Sequence, residues 1–240
     1  MKTVSLVIPA YNEEDVIEET VSIFSDDLQR LTDQHEIIIV NDGSSDRTAE
    51  IAERLSRVNP NIKVIHNPKN LGSGKSLLAG FKECRYDFVV TDFADRPFDV
   101  KELENILSIF DDRPIDFVVV VRKNRSANPA YRKITSFVNY LLIRLLFNAK
   151  IGDFQFVQIY KRKIIEDVDV RSTRTFVPPE LIMRLLDRGY KVYEYETDFL
   201  PRTRGRPKCG SPRIIMKTLF EMFRFWWQWM VLRKDRRNIL

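Results

Sequence analysis

The sequence predicts an α/β fold, a mostly parallel sheet flanked by helices, followed by a C-terminal amphipathic helix. Short runs of branched aliphatic and aromatic residues alternate with segments of helical character, which is the spacing of parallel β-α units. Three of these runs lead directly into acidic and turn residues, as expected where parallel strands end at a ligand-binding edge. Residues 201–240 contain eleven Lys and Arg against two Asp and Glu. We therefore predict one domain over residues 1–210 and a distinct basic helix over residues 211–240.

The first half of the predicted sheet is the clearest part of the pattern. Thr3 to Pro9 has the continuous apolar character of a buried strand, and the loop Ala10 to Glu14 opens a helix that runs to about Leu31. Glu36 to Val40 is a second strand, followed by Asn41 to Asp46, whose turn residues and N-cap start another helix. Order along the chain thus indicates two successive β-α units.

Two further strands complete the predicted order. Ile62 to Ile65 is a short third strand, the segment Asn67 to Phe81 leads into a helix, and Tyr86 to Thr91 is a fourth strand. The chain contains no internal repeat and no low-complexity segment. These features favour a doubly wound sheet.

Three carboxylates follow the fourth strand at Asp92, Asp95 and Asp99. Acids placed just past a buried parallel strand lie at the carboxyl edge of the sheet, where we expect them to face solvent. Asp92 and Asp95 are close enough in sequence to hold one divalent cation, which prefers carboxylate oxygens and recruits substrate phosphates. The alternative is an ordinary strand-to-helix turn with Asp95 or Asp99 as N-cap.

The loop Asn70 to Ser76 resembles a phosphate-binding P-loop at first sight. That motif requires a glycine five positions before the glycine that precedes its lysine, and the residue there is Lys69. The sequence therefore argues against an NTPase. Gly72 and Gly74 instead indicate unusual backbone dihedrals or a close backbone approach, while Lys75 could equally face solvent.

Composition narrows the class of protein. The 240 residues are 44% hydrophobic and 30% charged, as in a globular domain with a sizeable core. Two cysteines and two histidines are too few and too scattered for a zinc site or a disulfide framework, which indicates a reducing compartment. The N-terminus enters a strand pattern at once and carries no secretory signal pattern, so we expect a cytoplasmic location. The basic C-terminal segment suggests an anionic partner, either lipid or nucleic acid.

The C-terminal segment is the most apolar part of the chain. Its longest uncharged run, Phe225 to Leu232, is too short to span a bilayer. On a helical wheel the polar residues fall within a stripe about 80° wide. They are Arg213, Lys217, Glu221, Arg224 and Gln228. Three tryptophans and the following cations favour a membrane interface over residues 212–240, and packing on the domain or on a second subunit is the alternative. Aromatic residues around nearly the whole helix argue against nucleic acid as the partner.

The earlier segment Ile134 to Phe147, interrupted by Arg144, is expected to be an amphipathic or buried helix.

Read together, several motifs resemble the family 2 inverting glycosyltransferases of GT-A fold, in particular the dolichol-phosphate-mannose-synthase-like branch. The resemblance covers about residues 3 to 208 and follows the order of the family motifs. The matching segments are VIPAYNEE at Val7 to Glu14, VNDGSSD at Val40 to Asp46, NLGSGKSLLAGF at Asn70 to Phe81, TDFAD at Thr91 to Asp95, PPEL at Pro178 to Leu181 and RTRGRPK at Arg202 to Lys208.

The resemblance implies a nucleotide-sugar donor site and a metal. Residues of the first exit loop would frame the base and ribose, and Lys75 would add a donor contact. They are Pro9, Ala10, Tyr11 and Glu13. Asp42 matches the acid that reads the base edge, although it could instead cap a turn, as Tyr11 could instead pack. Asp92 and Asp95 match the acids that hold Mg²⁺ or Mn²⁺ beside the leaving diphosphate.

Two departures from the family pattern concern this metal and the acceptor. The metal acids are usually spaced Asp-x-Asp with a nearby Gln, whereas this chain has two residues between Asp92 and Asp95 and has Pro97 and Phe98 where the Gln is expected. Asp95 or Asp99 could therefore supply the second ligand. The segment after Asp153 lacks the Gly and the basic residue that the family commonly has there.

The acceptor side of the resemblance supplies candidate catalytic and phosphate-binding residues. Asp153 is the candidate catalytic carboxylate by position, and Glu180 is the second candidate unless it is a helix cap or salt-bridge partner. Four cations would hold phosphates or could equally be solvated surface charges. They are Arg122, Arg132, Arg202 and Lys208.

The resemblance thus implies transfer of a sugar from a GDP- or UDP-sugar to a lipid-linked acceptor, such as a polyprenyl phosphate, by a peripheral protein on the cytoplasmic face of a membrane. Transfer to a growing glycan or a protein is an alternative. The altered metal motif leaves a catalytically inactive scaffold as another.

Overall fold

The computed structural model describes residues 2–123, 130–166, 168–200 and 212–231. It contains one seven-stranded sheet in the order β3-β2-β1-β4-β6-β5-β7. Six strands run parallel, and β6 is antiparallel to both of its neighbours. The strands are β1 Thr3–Ala10, β2 Gln34–Asn41, β3 Ile62–His66, β4 Phe88–Thr91, β5 Phe117–Arg122, β6 Gln158–Lys161 and β7 Val192–Thr197. The predicted mostly parallel α/β sheet is confirmed.

Helices cover both faces of this sheet. They are α1 Ile17–Leu31, α2 Thr48–Val58, α3 Ser73–Phe81, α4 Leu103–Asp112, α5 Ala130–Phe147, α6 Arg162–Glu166, α7 Val177–Asp187 and α8 Pro212–Trp226. A 3₁₀ turn, Val100–Glu102, precedes α4, and a π-helical turn, Trp227–Val231, continues α8. The four strands and the helices predicted among them are present, whereas the antiparallel β6 was not anticipated.

Alternation along the central strand β1 divides the core into two layers. Leu6 and Ile8 pack with α1 and α4 on one face, and Val7 packs with α3 and α7 on the other. This is the period of two expected of a strand buried on both sides. The arrangement leaves the carboxyl ends of β1, β2 and β4 at one edge, where the acidic loops emerge.

The C-terminal helix α8 packs on the second layer through one side. Met222, Phe225 and Trp229 are buried there, and the Phe225 ring centroid lies 5.4 Å from that of Phe147 in α5 and 5.9 Å from that of Phe176. The predicted polar stripe does not face solvent as a unit: Lys217 and Arg224 are exposed, but Glu221 is buried. The stripe was inferred from polarity alone, which cannot show that one carboxylate has partners inside the fold.

Candidate active site

The candidate site lies where three neighbouring strands end. Just past the paired strands, the N–H of Asp42 donates to Ala10 O (2.8 Å) and the N–H of Asp92 donates to Val7 O (3.2 Å). Residues that are far apart in sequence are therefore side by side at the carboxyl edge, which is where open α/β sheets bind ligands.

Hydrogen bonds join the loops that follow β1 and β2. Asn12, whose φ of 54° lies in the left-handed region, accepts at Oδ1 from the Ser45 N–H (2.8 Å) and donates its own N–H to Ser44 Oγ (3.0 Å). The N–H of Glu13 donates to Thr48 Oγ1 (2.7 Å). Asparagine tolerates this conformation better than most residues, so the two loops form one ordered wall.

The predicted donor residues of the first loop lie in or beside this wall. They are Pro9, Ala10, Tyr11 and Glu13. Pro9 and Ala10 are buried at the end of β1, while Tyr11 and Glu13 are half-buried.

The carboxylate of Asp42 is 2% exposed and holds the loop before α3. Its oxygens accept hydrogen bonds from the N–H groups of Leu71 (2.9 Å) and Gly72 (2.8 Å) and from the amide of Asn67 (2.8 Å). Hydrogen bonds to a carboxylate are stronger than those between neutral groups, so Asp42 anchors this loop. This turn-stabilising role was the stated alternative to base recognition, and base recognition stays a prediction.

The glycines of the NLGSGKS segment serve close packing. The N–H of Lys75 donates to Thr173 O (3.0 Å), and a Cβ placed on Gly74 would come within 2.0 Å of Arg174 O. Backbone N–H groups that a P-loop would direct at phosphate therefore bond to Asp42 and Thr173 in this chain. The Lys75 side chain is exposed.

Asp92 is completely buried rather than solvent-facing, which corrects our expectation. Its Oδ1 accepts from the Phe93 N–H (2.7 Å), while its Oδ2 is buried without a hydrogen-bond partner among the described residues. Burial raises the pKa of Asp92 well above its usual range, and the charge of neighbouring Asp95 raises it further. A buried, unsatisfied carboxylate oxygen beside a second carboxylate is suited to a cation.

The inserted residue of the acidic loop is accommodated by a turn at Arg96. Its φ of 46° is unusual for a residue other than glycine, and its N–H donates to Phe93 O (2.9 Å). Thr20 of α1 donates its hydroxyl to Ala94 O (2.7 Å) and fixes the loop from outside. The side chain of Asp99 accepts a hydrogen bond from the N–H of Lys101 (3.2 Å) and caps the 3₁₀ turn. Because Asp99 has this capping role, Asp95 is the preferred candidate for the second ligand of the predicted metal site.

Two of the predicted acceptor-side residues form a pair. Arg122, the last residue of β5, donates Nε–H to Asp153 Oδ2 (2.7 Å), and the Gln155 N–H donates to Asp153 Oδ1 (3.1 Å). The guanidinium of Arg122 lies 5.1 Å from the ring centroid of Phe156. Asp153 is buried, so these contacts fix the orientation of its carboxylate.

The carboxylate of Glu180 accepts hydrogen bonds from three donors of the fold. It is completely buried in α7 and accepts hydrogen bonds from the N–H groups of Arg171 (3.0 Å) and Ser172 (2.8 Å) and from Arg184 Nε (2.7 Å). These contacts correspond to the salt-bridge alternative.

The side chains of three predicted phosphate-binding cations are not among those described. Arg132 belongs to α5, but its side chain is not among those described, and Arg202 and Lys208 fall within residues 201–211. Conversely, sequence reasoning missed the polar run from Arg171 to Thr175, which contacts the start of α3. The available signal was a cluster of hydroxyl and basic residues directly before the PPEL motif.

In the described ranges no three or more His, Cys, Asp or Glu side chains cluster as a metal site. Within the same ranges, none of the helices combines the length and apolar character needed to cross a bilayer.

Comparison with known proteins places this geometry in a family. Residues 5–169 match the family described as Glycosyl transferase family 2. Glycosyltransferase AglD of Haloferax volcanii is 30% identical over 98% of this chain and 39% of its own length. An undecaprenyl-phosphate 4-deoxy-4-formamido-L-arabinose transferase of Pseudomonas savastanoi is 30% identical over 92% of this chain and 65% of its own length. The chain thus spans less than two thirds of the length of these relatives.

Solved structures show the same fold. Glucosyl-3-phosphoglycerate synthase from Mycobacterium tuberculosis, in complex with Mn²⁺, UDP and phosphoglyceric acid, aligns with a TM-score of 0.72 at 18% identity, covering 94% of this chain and 78% of that chain. Its complex with Mg²⁺ and UDP aligns with a TM-score of 0.68 at 16% identity over 93% of this chain and 79% of that chain. The chain therefore belongs to glycosyl transferase family 2 and has the GT-A fold.

Proposed function

We propose that this chain transfers a sugar, with inversion, from a GDP- or UDP-sugar to a lipid-linked acceptor such as a polyprenyl phosphate, as in the dolichol-phosphate-mannose-synthase-like branch. The observation that carries the proposal is the buried Oδ2 of Asp92, which has no hydrogen-bond partner in the described part of the chain and lies near Asp95 at the carboxyl edge of the sheet. The names of the undecaprenyl-phosphate transferases support the acceptor class.

Asp92 and Asp95 would hold Mg²⁺ or Mn²⁺. Such a cation would neutralise the charge that develops on the departing diphosphate. Two carboxylates leave most ligand positions of a hard cation to phosphate oxygens and water, so metal and donor are expected to bind together.

The ordered wall of the first two loops forms the donor side of the proposed site. Pro9, Ala10, Tyr11 and Glu13 frame the base and ribose, and the exposed Lys75 adds a positive charge at the start of α3. Asp42, which holds the loop before α3, is the proposed base-reading acid on this side of the site.

On the acceptor side, Asp153 is the proposed catalytic carboxylate. Inverting transfer requires a group on the face opposite the leaving diphosphate that deprotonates the acceptor or positions it. A phosphate acceptor is already ionised and needs positioning and charge compensation. Arg122 orients Asp153 and supplies a guanidinium, and further cations would be contributed by Arg132, Arg202 and Lys208. Glu180 is assigned a structural role.

Membrane association would bring a lipid acceptor to this site. The helices α5 and α8 pack together. Seven exposed apolar side chains, which we call the α5–α8 face, lie on α5, on α8 and at the start of the π-helical turn that continues α8. They are Val138, Leu141, Leu145, Met216, Phe220, Phe223 and Trp227. Exposed cations accompany them at Arg144, Lys150, Lys217 and Arg224, and residues 130–150 contain no Asp or Glu. An apolar surface with flanking cations suits the cytoplasmic face of an anionic membrane, with α8 lying in the interface.

The proposal is tested by an acceptor comparison. The full chain is incubated with UDP- and GDP-sugars, Mg²⁺ or Mn²⁺, and either polyprenyl phosphate in vesicles or a soluble oligosaccharide. We expect sugar transfer to the lipid phosphate, loss of transfer in EDTA, and an anomeric configuration opposite to that of the donor. Transfer to the oligosaccharide alone would show the glycan-directed alternative, and absence of any nucleotide binding would identify an inactive scaffold.

A further inference from the structure

A carboxylate of the C-terminal helix holds a segment that touches both halves of the proposed site. Glu221 of α8 is 8% exposed. It accepts hydrogen bonds from the N–H and hydroxyl of Thr173 (3.2 and 2.6 Å) and from the N–H of Arg174 (3.3 Å). We call residues 173–175 the bridge segment. A buried carboxylate with three donors is a strong local constraint, because its loss would leave backbone N–H groups unsatisfied.

The bridge segment contacts the donor side first. Thr173 O accepts the N–H of Lys75 at the start of α3 (3.0 Å). The loop immediately before this turn is held by Asp42, which accepts the Gly72 N–H (2.8 Å). The position of the donor loop therefore depends on hydrogen bonds from both sides, those to Asp42 directly after β2 and the one to Thr173 of the bridge segment.

The same segment contacts the acceptor side. Thr175 O accepts a hydrogen bond from Gln155 Nε2 (3.1 Å), and the Gln155 N–H donates to Asp153 Oδ1 (3.1 Å). The hydroxyls of Thr175 and Thr218 of α8 are 2.6 Å apart, which gives α8 a second bond to the segment. Asp153 and the donor loop are thus connected to one helix through three residues.

We propose that Glu221 is a positioning residue that aligns the donor loop with Asp153 through the bridge segment, so that α8 belongs to the site as well as to the outer surface. This inference rests on the proposed function. Its physical basis is that small displacements of binding and reacting groups cause large losses of productive geometry. Glu221 touches neither donor nor acceptor and acts only through residues 173–175.

The test compares Glu221→Gln with Glu104→Gln. The control makes the same substitution at an exposed position of α4, away from the α5–α8 face. Binding of UDP and of GDP, each with Mn²⁺, is measured by calorimetry on the full chain, and hydrogen–deuterium exchange is followed in peptides covering residues 71–76 and 153–157. For Glu221→Gln we expect about tenfold weaker nucleotide binding, the effect of losing roughly one charge-assisted hydrogen bond, and faster exchange in both peptides. Glu104→Gln should match the parent.

The outcomes separate this inference from the proposed function. Unchanged binding and unchanged exchange in a folded Glu221→Gln protein would overturn the positioning role and leave the transferase proposal intact. A parent chain that binds neither nucleotide would overturn the proposed function, while the exchange data would still decide whether the bridge segment couples α8 to the two peptides. If Glu221→Gln does not fold, Thr218→Val removes the second bond, with about two- to threefold weaker binding expected and unchanged binding as the contrary result.

Discussion

The α5–α8 face gives the sharpest prediction for membrane association. The perturbation is the double substitution Phe220→Ser and Trp227→Ser, which removes two aromatic side chains that are 67% and 53% exposed. Full burial of such a side chain stabilises by about 1.5–3 kcal/mol, and roughly half of the surface of each side chain is still available for burial in lipid. The pair should therefore contribute about 2 kcal/mol, or ~30-fold in vesicle partitioning.

The assay is co-sedimentation with vesicles of phosphatidylglycerol and phosphatidylethanolamine at low and high salt. Val58→Ser is the matched control, because Val58 is 77% exposed on α2 and lies outside the face. Deleting α8 would be a poor substitute, since it removes buried Met222 and Phe225 from the core. Equal vesicle binding by the double variant and the parent would refute the reasoning. If the parent is a dimer and the double variant is a monomer, the face is a subunit interface instead.

Three further outcomes are expected. Because burial raises the folded-state pKa of Asp92 above its ordinary 3.8, ionising it destabilises the metal-free fold. Stability is therefore fully retained below that value and falls as pH rises through the raised pKa. Asp92→Asn should abolish transfer yet show a melting-temperature advantage over the metal-free parent that grows with pH, and a variant no more stable at neutral pH would contradict this. Asp153→Asn should lower kcat by about 10²-fold or more with the donor Kd nearly unchanged, as measured by steady-state kinetics and calorimetry, whereas equal loss of donor binding would remove Asp153 from the acceptor role. Burial raises the pKa of the Cys84 thiol to about 12, so peptide mass spectrometry should find it unalkylated by iodoacetamide at about pH 8 in the native protein.

Local patterns predicted much of the framework because their physical causes are local. The strand from Thr3, the helix ending near Leu31 and the acids after Thr91 follow from side-chain periodicity, turn residues and the abrupt change from apolar to charged residues. Parallel strands then bring their carboxyl ends to one edge, so the grouping of Asp42 and Asp92 was also predictable.

Burial and pairing of polar groups required the tertiary structure. Asp42, Glu180 and Glu221 are all acids on or beside predicted elements, and each could be a ligand, a cap or a surface charge on sequence alone. In the fold, Asp42 holds a loop that begins 25 residues later, and Glu221 holds residues 47 and 48 positions earlier. No local periodicity encodes such partners.

The sequence by itself determined the family, the succession of the first four strands along the chain and the acidic edge, since these depend on motifs and on neighbouring residues. Only the tertiary structure decided that β6 runs antiparallel and that α8 directs Glu221 inward and Phe220 outward. It also decided that Asp92 is buried with one oxygen that no described residue satisfies. The physical reason is that desolvation and hydrogen-bond satisfaction depend on which distant segments meet, and the chain decides this only by folding.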